Sequence, residues 1–460
     1  MFLLTESFHF ARLPRSRRLD RRPEGDPEVI WNPDYETLPG EDLKRLQDER
    51  LGTLVDMLYR RVKFFRSKMD AAGVKLGEVR GIGDLARLPF TTKDELRSGY
   101  PFNLLAVDLR EIVEIHTSSG TTGKPVVDAY TAGDLDTWAE AMARTLSAGG
   151  ATRHDIVQNA YGYGLFTGGL GVHYGARRIG ATVLPISGGN TKRQVELLRD
   201  FGTTILTCTP SYALYLAEAL REEGLSPRDM GLRAGFFGAE PWSDTMRAEI
   251  QAKLGLAAYD IYGLTEIIGP GVAFECERQE GLHVNEDLFY PEIVDPATGR
   301  VLPDGQKGEL VITTLTKQGT PILRYRTRDI TYLDRSPCPC GRTTVRMHRL
   351  LGRTDDMLIV RGVNVFPSQI EEVILGIEGV EPHYQIIVDR RNQLDSLEVQ
   401  VEMTEALFSD EIRDLERTEK LIESRLYGTL NIHSRVKLVE PKTIARSEGK
   451  AKRILDKRQI

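Results

Sequence analysis

The sequence has few cysteines, no long apolar run and no excess of positive charge. Four cysteines in 460 residues are too few for a disulfide framework, so a reducing cytoplasm is the expected compartment. No run approaches the roughly 18 apolar residues of a membrane-spanning helix. No signal peptide is expected either, because Glu6 interrupts the apolar stretch Met1–Phe10. The net charge of -6 gives no general attraction to nucleic acid or to an anionic membrane.

The composition itself is that of a globular protein, with 40% hydrophobic and 28% charged residues. A chain of 460 residues is too long for one ordinary hydrophobic core, so at least two domains are expected. Residues 1–28 contain the basic stretch RLPRSRRLDRR and are predicted to be a disordered extension. A basic arm for an anionic partner is the alternative. Residues 29–354 are predicted to form a large domain and residues 355–460 a small one.

Short apolar runs alternate with helical patterns between about residues 105 and 350. Thr204–Thr207 and Ala234–Phe237 are examples of the runs, and Asp134–Leu146 and Ser243–Leu254 are examples of the helical patterns. Such alternation predicts an α/β fold, with parallel or mixed sheets covered by helices in the large N-terminal domain. After a break near residues 352–356, helix and strand patterns predict a compact α+β C-terminal domain.

A loop rich in glycine and hydroxyl residues follows a predicted strand, in the stretch HTSSGTTGKP at His116–Pro125. Its backbone N–H groups, its hydroxyls and the charge of Lys124 suit a polyphosphate. Gly120 and Gly123 are too close together for a Walker-type loop, and Pro125 stands where that motif needs Ser or Thr. A plain turn is the commoner explanation of such a loop taken alone.

Three further motifs carry polar groups suited to a nucleotide. The stretch DIYGLTE at Asp260–Glu266 offers a carboxylate and a hydroxyl to a phosphate-bound magnesium ion. Arg324–Asp329 ends in a carboxylate suited to ribose hydroxyls, with Arg353 further along the chain. In Arg446–Lys452 a glycine precedes Lys450 and leaves its backbone free to present the ammonium. Taken singly, these motifs also fit a capped strand end, surface ion pairs and a solvated basic tail.

The cysteines offer a different kind of site. Cys276, His283, Cys338 and Cys340 match the usual ligand set of a structural zinc ion, three thiolates and one imidazole. The alternative is that these are buried cysteines with unrelated roles, as is expected for Cys208 in an apolar strand. A nucleic-acid zinc finger is excluded, because the net charge is negative and no arginine-rich helix follows the ligands.

In this order along the chain, the motifs resemble those of the adenylate-forming superfamily of acyl-CoA synthetases. The resemblance is close to the phenylacetate–CoA ligase family and covers about residues 30–460. It is carried in detail by five stretches: residues 158–175 (QNAYGYGLFTGGLGVHYG), Pro185–Thr191, Thr209–Ala217, Phe236–Trp242 and residues 362–372 (GVNVFPSQIEE).

The resemblance implies a reaction. An aromatic acid, phenylacetate first among the candidates, would react with ATP to form an acyl-AMP and pyrophosphate, and coenzyme A would then displace AMP. Three alternatives stay open: another aryl acid of the benzoate or hydroxybenzoate type, an adenylating enzyme that loads a carrier protein, and a zinc-stabilised nucleotide-binding scaffold without turnover. The partners expected are small molecules, with no nucleic acid and no membrane. The oligomeric state is left open, with a homodimer as one arrangement.

The resemblance also implies roles for single residues. Lys450 would contact the acyl carboxylate during adenylation, Glu266 would hold magnesium, and Asp355 would be the hinge on which a mobile small domain rotates. Three aromatic residues would form the pocket for the acid, namely Tyr161, Tyr163 and Phe166. The nucleotide-binding residues would be Ser118, Ser119, Gly120, Thr121, Thr122, Gly123, Lys124, Glu240, Pro241, Asp260, Tyr262, Gly263, Thr265, Asp329 and Arg353. The sequence departs from many relatives outside the subgroup at Arg328, where they carry glycine.

Overall fold

The computed structural model describes residues 29–118, 124–227, 230–361, 363–391, 394–408, 412–449 and 451–458. The predicted extension at residues 1–28 lies outside these ranges. So do residues 119–123 of the glycine-rich loop, Gly362 and Lys450. Within the described ranges, no helix is both long enough and apolar enough to cross a membrane.

The helices of the described residues are α1 (Pro33–Glu36), α2 (Gly40–Arg61), α3 (Lys63–Ala71), α4 (Lys93–Ser98), α5 (Ala132–Ala148), α6 (Thr167–Ile179), α7 (Thr191–Asp200), α8 (Pro210–Glu222), α9 (Asp244–Leu254), α10 (Pro367–Leu375), α11 (Glu405–Phe408) and α12 (Ile412–Leu430). Short 3-10 helices lie at Ile82–Arg87 and Leu109–Glu111.

The strands are β1 (Ile112–Thr117), β2 (Val127–Thr131), β3 (Ile156–Asn159), β4 (Thr182–Leu184), β5 (Ile205–Cys208), β6 (Ala234–Gly238), β7 (Ala257–Leu264), β8 (Gly269–Glu275), β9 (Leu282–Val284), β10 (Phe289–Val294), β11 (Gly308–Thr314), β12 (Tyr325–Thr331), β13 (Leu333–Asp334), β14 (Arg346–Met347), β15 (Gly352–Arg353), β16 (Leu358–Val360), β17 (Val363–Val365), β18 (Val380–Arg391), β19 (Leu394–Met403), β20 (Arg435–Val439) and β21 (Ile454–Asp456).

The largest sheet has nine strands in the order β13-β14-β9-β8-β7-β6-β5-β3-β4. Its half from β4 to β7 is parallel, and the strands beyond β7 pair antiparallel. The parallel half is built from strands that alternate with helices, as the sequence pattern predicted. The carboxyl ends of β6 and β7 lie side by side, which is where open α/β sheets bind their ligands.

Local sequence signals explain where the helices of this region begin. At the start of α5, Asp134 N donates to Thr131 Oγ1 at 3.1 Å, and Thr131 N donates to the Asp134 carboxylate at 2.9 Å. This reciprocal capping box satisfies backbone donors that the first helical turn leaves free. Ser243 caps α9 through its hydroxyl, which accepts from Met246 N. Helix α5 then packs on α6 and β8, with Trp138 and Met142 fully buried.

A second sheet, β10-β11-β12-β15, adjoins this region and is antiparallel. The pairing of β15 with β12 sets Arg353 opposite Asp329. The strand pairing of this sheet therefore ends immediately before residues 354–356, where the sequence break lies.

The C-terminal residues form a sheet and a core of their own. The sheet order is β20-β19-β18-β21, and helices α10 and α12 cover it around Ile370, Ile386, Val399 and Leu426, all fully buried. Leu375 at the end of α10 packs instead against the core beneath α8 and α9. The predicted fold class, α/β with a smaller α+β part at the C-terminus, is confirmed.

Candidate active site

One cavity gathers seven of the fifteen predicted nucleotide-binding residues. Glu240 and Pro241 reach it from the turn after β6, three more come from β7, and two come from the second sheet. The whole lining comprises Ala239, Glu240, Pro241, Trp242, Asp260, Ile261, Tyr262, Gly263, Leu264, Leu282, Asp329, Met347, Leu350 and Arg353. Residues as far apart in sequence as Ala239 and Arg353 meet there because β6, β7, β12 and β15 converge at the edge of the sheet.

Asp329, the predicted ribose ligand, is buried, and both of its oxygens accept hydrogen bonds. Tyr262 Oη donates to Asp329 Oδ2 at 2.6 Å, and Arg353 Nη1 donates to Asp329 Oδ1 at 2.6 Å. Burial raises the pKa of Asp329, and the guanidinium of Arg353 opposes that shift. The carboxylate is therefore held in one orientation at the cavity wall, where an incoming donor such as a ribose hydroxyl competes with protein partners.

Asp260 also lines the cavity and is partly buried. Its backbone N–H donates to Glu275 Oε2 at 2.7 Å, and Arg247 holds both oxygens of Glu275 at 2.6 and 2.7 Å. Burial, and then the charge of Glu275, raise the pKa of Asp260 to about 7. The group therefore titrates close to neutral pH.

Arg328 stands where many relatives outside the subgroup carry glycine, and its backbone has φ 67°. This value lies in the left-handed region that glycine occupies without cost and other residues rarely enter. Glu309 Oε1 accepts from its backbone N–H at 3.1 Å. The unusual conformation lies next to Asp329, and strained backbone of this kind gathers at functional sites.

Glu266, the predicted magnesium ligand, follows β7 and is 5% exposed. Its Oε1 accepts no hydrogen bond from the described residues, although Lys93 Nζ lies 3.0 Å away. Thr265 precedes it in the same turn, with its hydroxyl 3.5 Å from that of Thr167. A buried carboxylate with a hydroxyl beside it offers the oxygen donors that a hard metal ion needs.

The glycine-rich loop is described only at its two ends. Ser118 N donates to Val126 O at 3.0 Å, and Val126 N donates to Ser118 Oγ at 3.0 Å. These bonds close the base of the loop. Lys124 Nζ lies 5.6 Å from the centroid of the Tyr100 ring. The predicted phosphate ligands at positions 119–123 fall outside the described residues.

The predicted acid pocket lies between β3 and α6. Tyr161 is 7% exposed. Tyr163 Oη accepts from Asn159 Nδ2 at 2.8 Å and lies 3.2 Å from His173 Nδ1. Both rings pack on the glycines of α6, where a Cβ atom at Gly169 would lie 3.1 Å from the Tyr163 ring.

Phe166 differs from the two tyrosines. Its side chain is 54% exposed at the start of α6. The assignment of Phe166 to the acid pocket stays a prediction.

The C-terminal stretch Arg446–Arg453, called the docking segment below, lies against the large N-terminal part of the chain. Glu448 O comes within 3.2 Å of a Cβ placed on Gly188, which also borders Ala160 and Gly162 of the aromatic stretch. Arg446 donates from Nε to Glu218 of α8 at 2.9 Å. Lys450 is not among the described residues, and Glu448, two positions before it, lies beside the acid pocket.

Asp355, the predicted hinge, sits where the chain leaves the second sheet. Arg353 Nε donates to Asp355 Oδ1 at 3.0 Å, and Arg328 Nη1 lies 3.6 Å from Asp355 Oδ2. The side chain therefore touches the same arginine that holds Asp329. Its role as a hinge stays a prediction.

The four predicted zinc ligands come together beside β8 and β9 of the nine-stranded sheet. Their ligand atoms lie within 4.8 Å of one another. Cys276 Sγ and Cys338 Sγ are 3.8 Å apart, and Cys340 Sγ is 3.4 Å from His283 Nε2. All four cysteines of the chain are free thiols.

Two side chains near the predicted ligands were missed in the sequence. Arg342 lies beside the cysteine cluster, with its Nη1 3.7 Å from Cys340 Sγ and its Nε donating to Glu36 Oε2 at 2.8 Å. Lys93 lies beside Glu266. Each has the local sequence of an ordinary surface charge, and only its long-range partner distinguishes it.

Comparison with known proteins identifies the family of the chain. A family model described as an AMP-binding enzyme matches residues 68–316, and one described as an AMP-binding enzyme C-terminal domain matches residues 362–458. The phenylacetate-coenzyme A ligase of Thermus thermophilus is 49% identical over 445 residues, which are 94% of this chain and 100% of that protein. That of Escherichia coli is 49% identical and covers 92% and 97%.

Among solved structures, 2-hydroxyisobutyryl-CoA ligase in its postadenylation state matches with a TM-score of 0.90, 30% identity, and coverage of 95% and 94%. The same ligase in its thioesterification state matches with a TM-score of 0.71. The chain therefore belongs to the phenylacetate–CoA ligase family of AMP-binding enzymes.

Proposed function

We propose that this enzyme ligates an aromatic carboxylic acid, phenylacetate first, to coenzyme A, with cleavage of ATP to AMP and pyrophosphate. The observation that carries this proposal is the convergence of two features on one edge of the sheet. The nucleotide cavity opens between β6, β7 and the second sheet, and the docking segment lies against the aromatic stretch beside it. The reaction requires the nucleotide cavity and the acid pocket to be adjacent, because it joins the acid to the nucleotide.

The nucleotide is assigned to the cavity by the chemistry of its walls. Asp329 would accept from the ribose hydroxyls, since its carboxylate is fixed by Tyr262 and Arg353. Asp260 would face the amino group of adenine, with Pro241 alongside the base. The glycine-rich loop would close over the phosphates. The roles of Asp329, Asp260 and Pro241 rest on the family resemblance and on their place in the cavity, and the role of the loop rests on the resemblance.

Magnesium fits the residues around Glu266. The buried carboxylate and the adjacent Thr265 hydroxyl supply oxygen donors, and Lys93 now lies beside Glu266 Oε1 at 3.0 Å. When bound there, the ion would offset negative charge on the ATP phosphates.

Lys450 would act in the first half-reaction. A carboxylate is a poor electrophile, and its attack on the α-phosphate brings two anionic groups together. An ammonium held between them lowers that cost. The docking segment brings residues 449 and 451, on either side of Lys450, onto the large part of the chain, which supports this role. The acyl-AMP formed is a reactive mixed anhydride.

The second half-reaction is assigned to a different arrangement of the same domains. We infer a large domain of residues 29–354 and a small domain of residues 355–460, with Asp355 as the pivot. Two observations support this division. The C-terminal core is built from its own residues, and one ligase matches this chain with TM-scores of 0.90 and 0.71 in two reaction states. Rotation would withdraw Lys450 and open a path for the thiol.

The aryl specificity rests on Tyr161, Tyr163 and the glycines that border them. Edge-to-face ring contacts add about 0.5–1.5 kcal/mol each, and glycine leaves space for a flat ring. The names of the relatives, phenylacetate-coenzyme A ligases at 49% identity, point to the same acid.

A panel of acids tests the function. The full chain would be given ATP, magnesium and coenzyme A with phenylacetate, benzoate, 4-hydroxybenzoate, acetate or a long-chain fatty acid, and each thioester would be measured by mass. We expect the highest kcat/KM for phenylacetate and a lower value for acetate. A preference for the long-chain acid overturns the pocket assignment. Thioester formation without AMP, or acid-dependent AMP formation without thioester, overturns the reaction.

We also propose that Cys276, His283, Cys338 and Cys340 hold one structural zinc ion. Zinc–sulfur bonds of about 2.3 Å at tetrahedral angles separate two sulfurs by about 3.8 Å, and Cys276 Sγ and Cys338 Sγ are 3.8 Å apart. His283 Nδ1 lies 3.2 Å from Thr344 Oγ1, a contact that orients the other ring nitrogen toward the cluster. Four protein ligands leave no position for a substrate, so the ion would fasten the loop after β13 to β8 and β9.

A further inference from the structure

The docking segment is fastened to the large domain on both sides of Lys450. Thr209 Oγ1 donates to Gly449 O at 3.0 Å, and Ala451 N donates to Glu240 Oε2 at 3.0 Å. One residue further out, Thr191 Oγ1 donates to Glu448 Oε1 at 3.2 Å. These bonds join residues more than 200 positions apart, and they hold the backbone immediately before and after position 450.

Both carboxylate oxygens of Glu240 accept hydrogen bonds in this arrangement. While Oε2 accepts from Ala451, Oε1 accepts from Ser211 N at 2.8 Å. Ser211 lies in the first turn of α8, whose backbone N–H groups have no partner within the helix. The cap of the same helix is Thr209, the residue that holds Gly449. The start of α8 and Glu240 therefore form one rigid seat for the docking segment.

Arg453 extends the seat. Its Nη2 donates to Ser211 Oγ at 3.0 Å, and its Nη1 donates to Tyr384 Oη at 2.7 Å within the small domain. In these contacts, polar side chains of the large domain form hydrogen bonds with the backbone and the polar side chains of the docking segment. Polar contacts of this kind can be exchanged for water when the domain turns away.

We propose that Glu240 and Thr209 are positioning residues for adenylation, which hold the chain around Lys450 on the large domain and do not themselves contact the reacting groups. The proposal rests on the adenylation role assigned to Lys450. It gives Glu240 a different role from the nucleotide contact that the family resemblance implies. A lysine with a flexible side chain gains precision when the peptide units before and after it are fixed.

The test substitutes Glu240→Gln, which keeps the shape but leaves an amide NH₂ facing one of the two N–H donors. We expect the kcat of acid-dependent pyrophosphate release to fall roughly 10- to 100-fold, the range for losing a hydrogen bond to a charged group. The KM for ATP should change little. Thioester formation from pre-made phenylacetyl-AMP and coenzyme A should match wild type, because the seat is vacated in that step.

Two other variants complete the experiment. Glu222→Gln is the matched control, because its exposed ion pair with Lys442 also joins the two domains; both half-reactions should stay at wild-type rates. Thr191→Val removes the hydroxyl that donates to Glu448 and that also lies 3.2 Å from Tyr212 Oη of α8. It should lower the adenylation rate less than Glu240→Gln and leave the thioester step intact. It keeps the proposal testable if the glutamine variant does not fold.

Other results would overturn the positioning role. A raised KM for ATP with unchanged kcat would make Glu240 an adenine contact, and an equal loss in both half-reactions would make it merely structural. Lys450→Ala separates this proposal from the function it rests on. If that variant adenylates normally, the lysine assignment fails. If it loses adenylation while Glu240→Gln and Thr191→Val do not, only the positioning role fails.

Discussion

The nucleotide cavity lies where the two sheets meet and the cysteine cluster lies beside β8 and β9, and the two sites satisfy their polar groups differently. In the cavity, Asp329 is held by protein donors at 2.6 Å that a ligand can replace. In the cluster, three thiols and an imidazole face one another within 4.8 Å. A site that exchanges its ligand pairs its charged groups with protein donors while the ligand is absent. A site that holds an ion permanently can direct its ligands at one another.

This comparison predicts that changes around the cavity act mainly on rates, with an effect on stability confined to its pH dependence at Asp260, whereas changes in the cluster lower stability and leave rates intact. Four substitutions test it, beginning with the largest effect expected on catalysis.

Lys450→Ala removes the ammonium assigned to adenylation. Acyl-AMP formation should fall by roughly two to four orders of magnitude, the range for loss of a key electrostatic or proton-handling group. Thioester formation from pre-made acyl-AMP should survive. Pyrophosphate release and thioester yield measure the two steps separately, and Lys452→Ala is the control because that side chain is exposed two positions away. An equal loss in both steps contradicts the assignment of two domain arrangements.

Asp355→Pro fixes φ at the proposed pivot and removes a backbone donor. Adenylation should persist, and the coenzyme A step should slow by about tenfold or more if domain rotation requires this torsion to change. Asp355→Asn is the matched control. It weakens the contacts with Arg353 and Arg328 without restricting the backbone. Normal thioester formation by the proline variant would place the pivot elsewhere.

Asp260→Asn tests the charge at the cavity wall through pH. The folded-state pKa of Asp260 is raised from 3.8 to about 7 by burial and by Glu275, so the protonated form favours the folded protein. This contribution to stability is complete below about pH 4 and is lost as pH rises through about 7. The melting temperature of the Asn variant should therefore decline less between pH 4 and 8 than that of wild type. Parallel declines would show that Asp260 titrates normally.

Cys338→Ser should have the smallest effect on catalysis. Wild-type protein purified without added zinc should contain about one zinc per chain. The variant should lose it and melt at a lower temperature. At 25 °C its folded fraction should adenylate phenylacetate at the wild-type rate. Cys208→Ala is the control, since Cys208 is buried in β5 away from the cluster and should keep the metal. A metal-free wild type with full stability would contradict the zinc proposal.

Much of the fold could be predicted from local patterns. The pattern at Ser243–Leu254 corresponds to α9 at Asp244–Leu254 with Ser243 as its cap, and the apolar run at Ala234–Phe237 corresponds to β6 at Ala234–Gly238. Strand β21 at Ile454–Asp456 was missed. It has three residues and owes its existence to pairing with β18, which no periodicity can reveal.

The candidate site also has a part that the sequence predicted and a part that it did not. The motifs named Asp260, Tyr262, Asp329 and Arg353, and the structure brings them to one cavity. They did not indicate that Lys93 lies beside Glu266, because the two residues are far apart in the chain and no local pattern links them.

By itself, the sequence determined which chemistry the chain carries and in what order. Hydroxyls and glycines, carboxylates, and a cysteine–histidine set are properties of residue types, and helix and strand periods are properties of near neighbours. The tertiary structure decided which distant groups meet. Glu240 reaches Ala451, 211 positions away, at 3.0 Å. A hydrogen bond requires its two atoms to be placed within a few tenths of an ångström, and that precision arises only when strands, helices and both domains pack together.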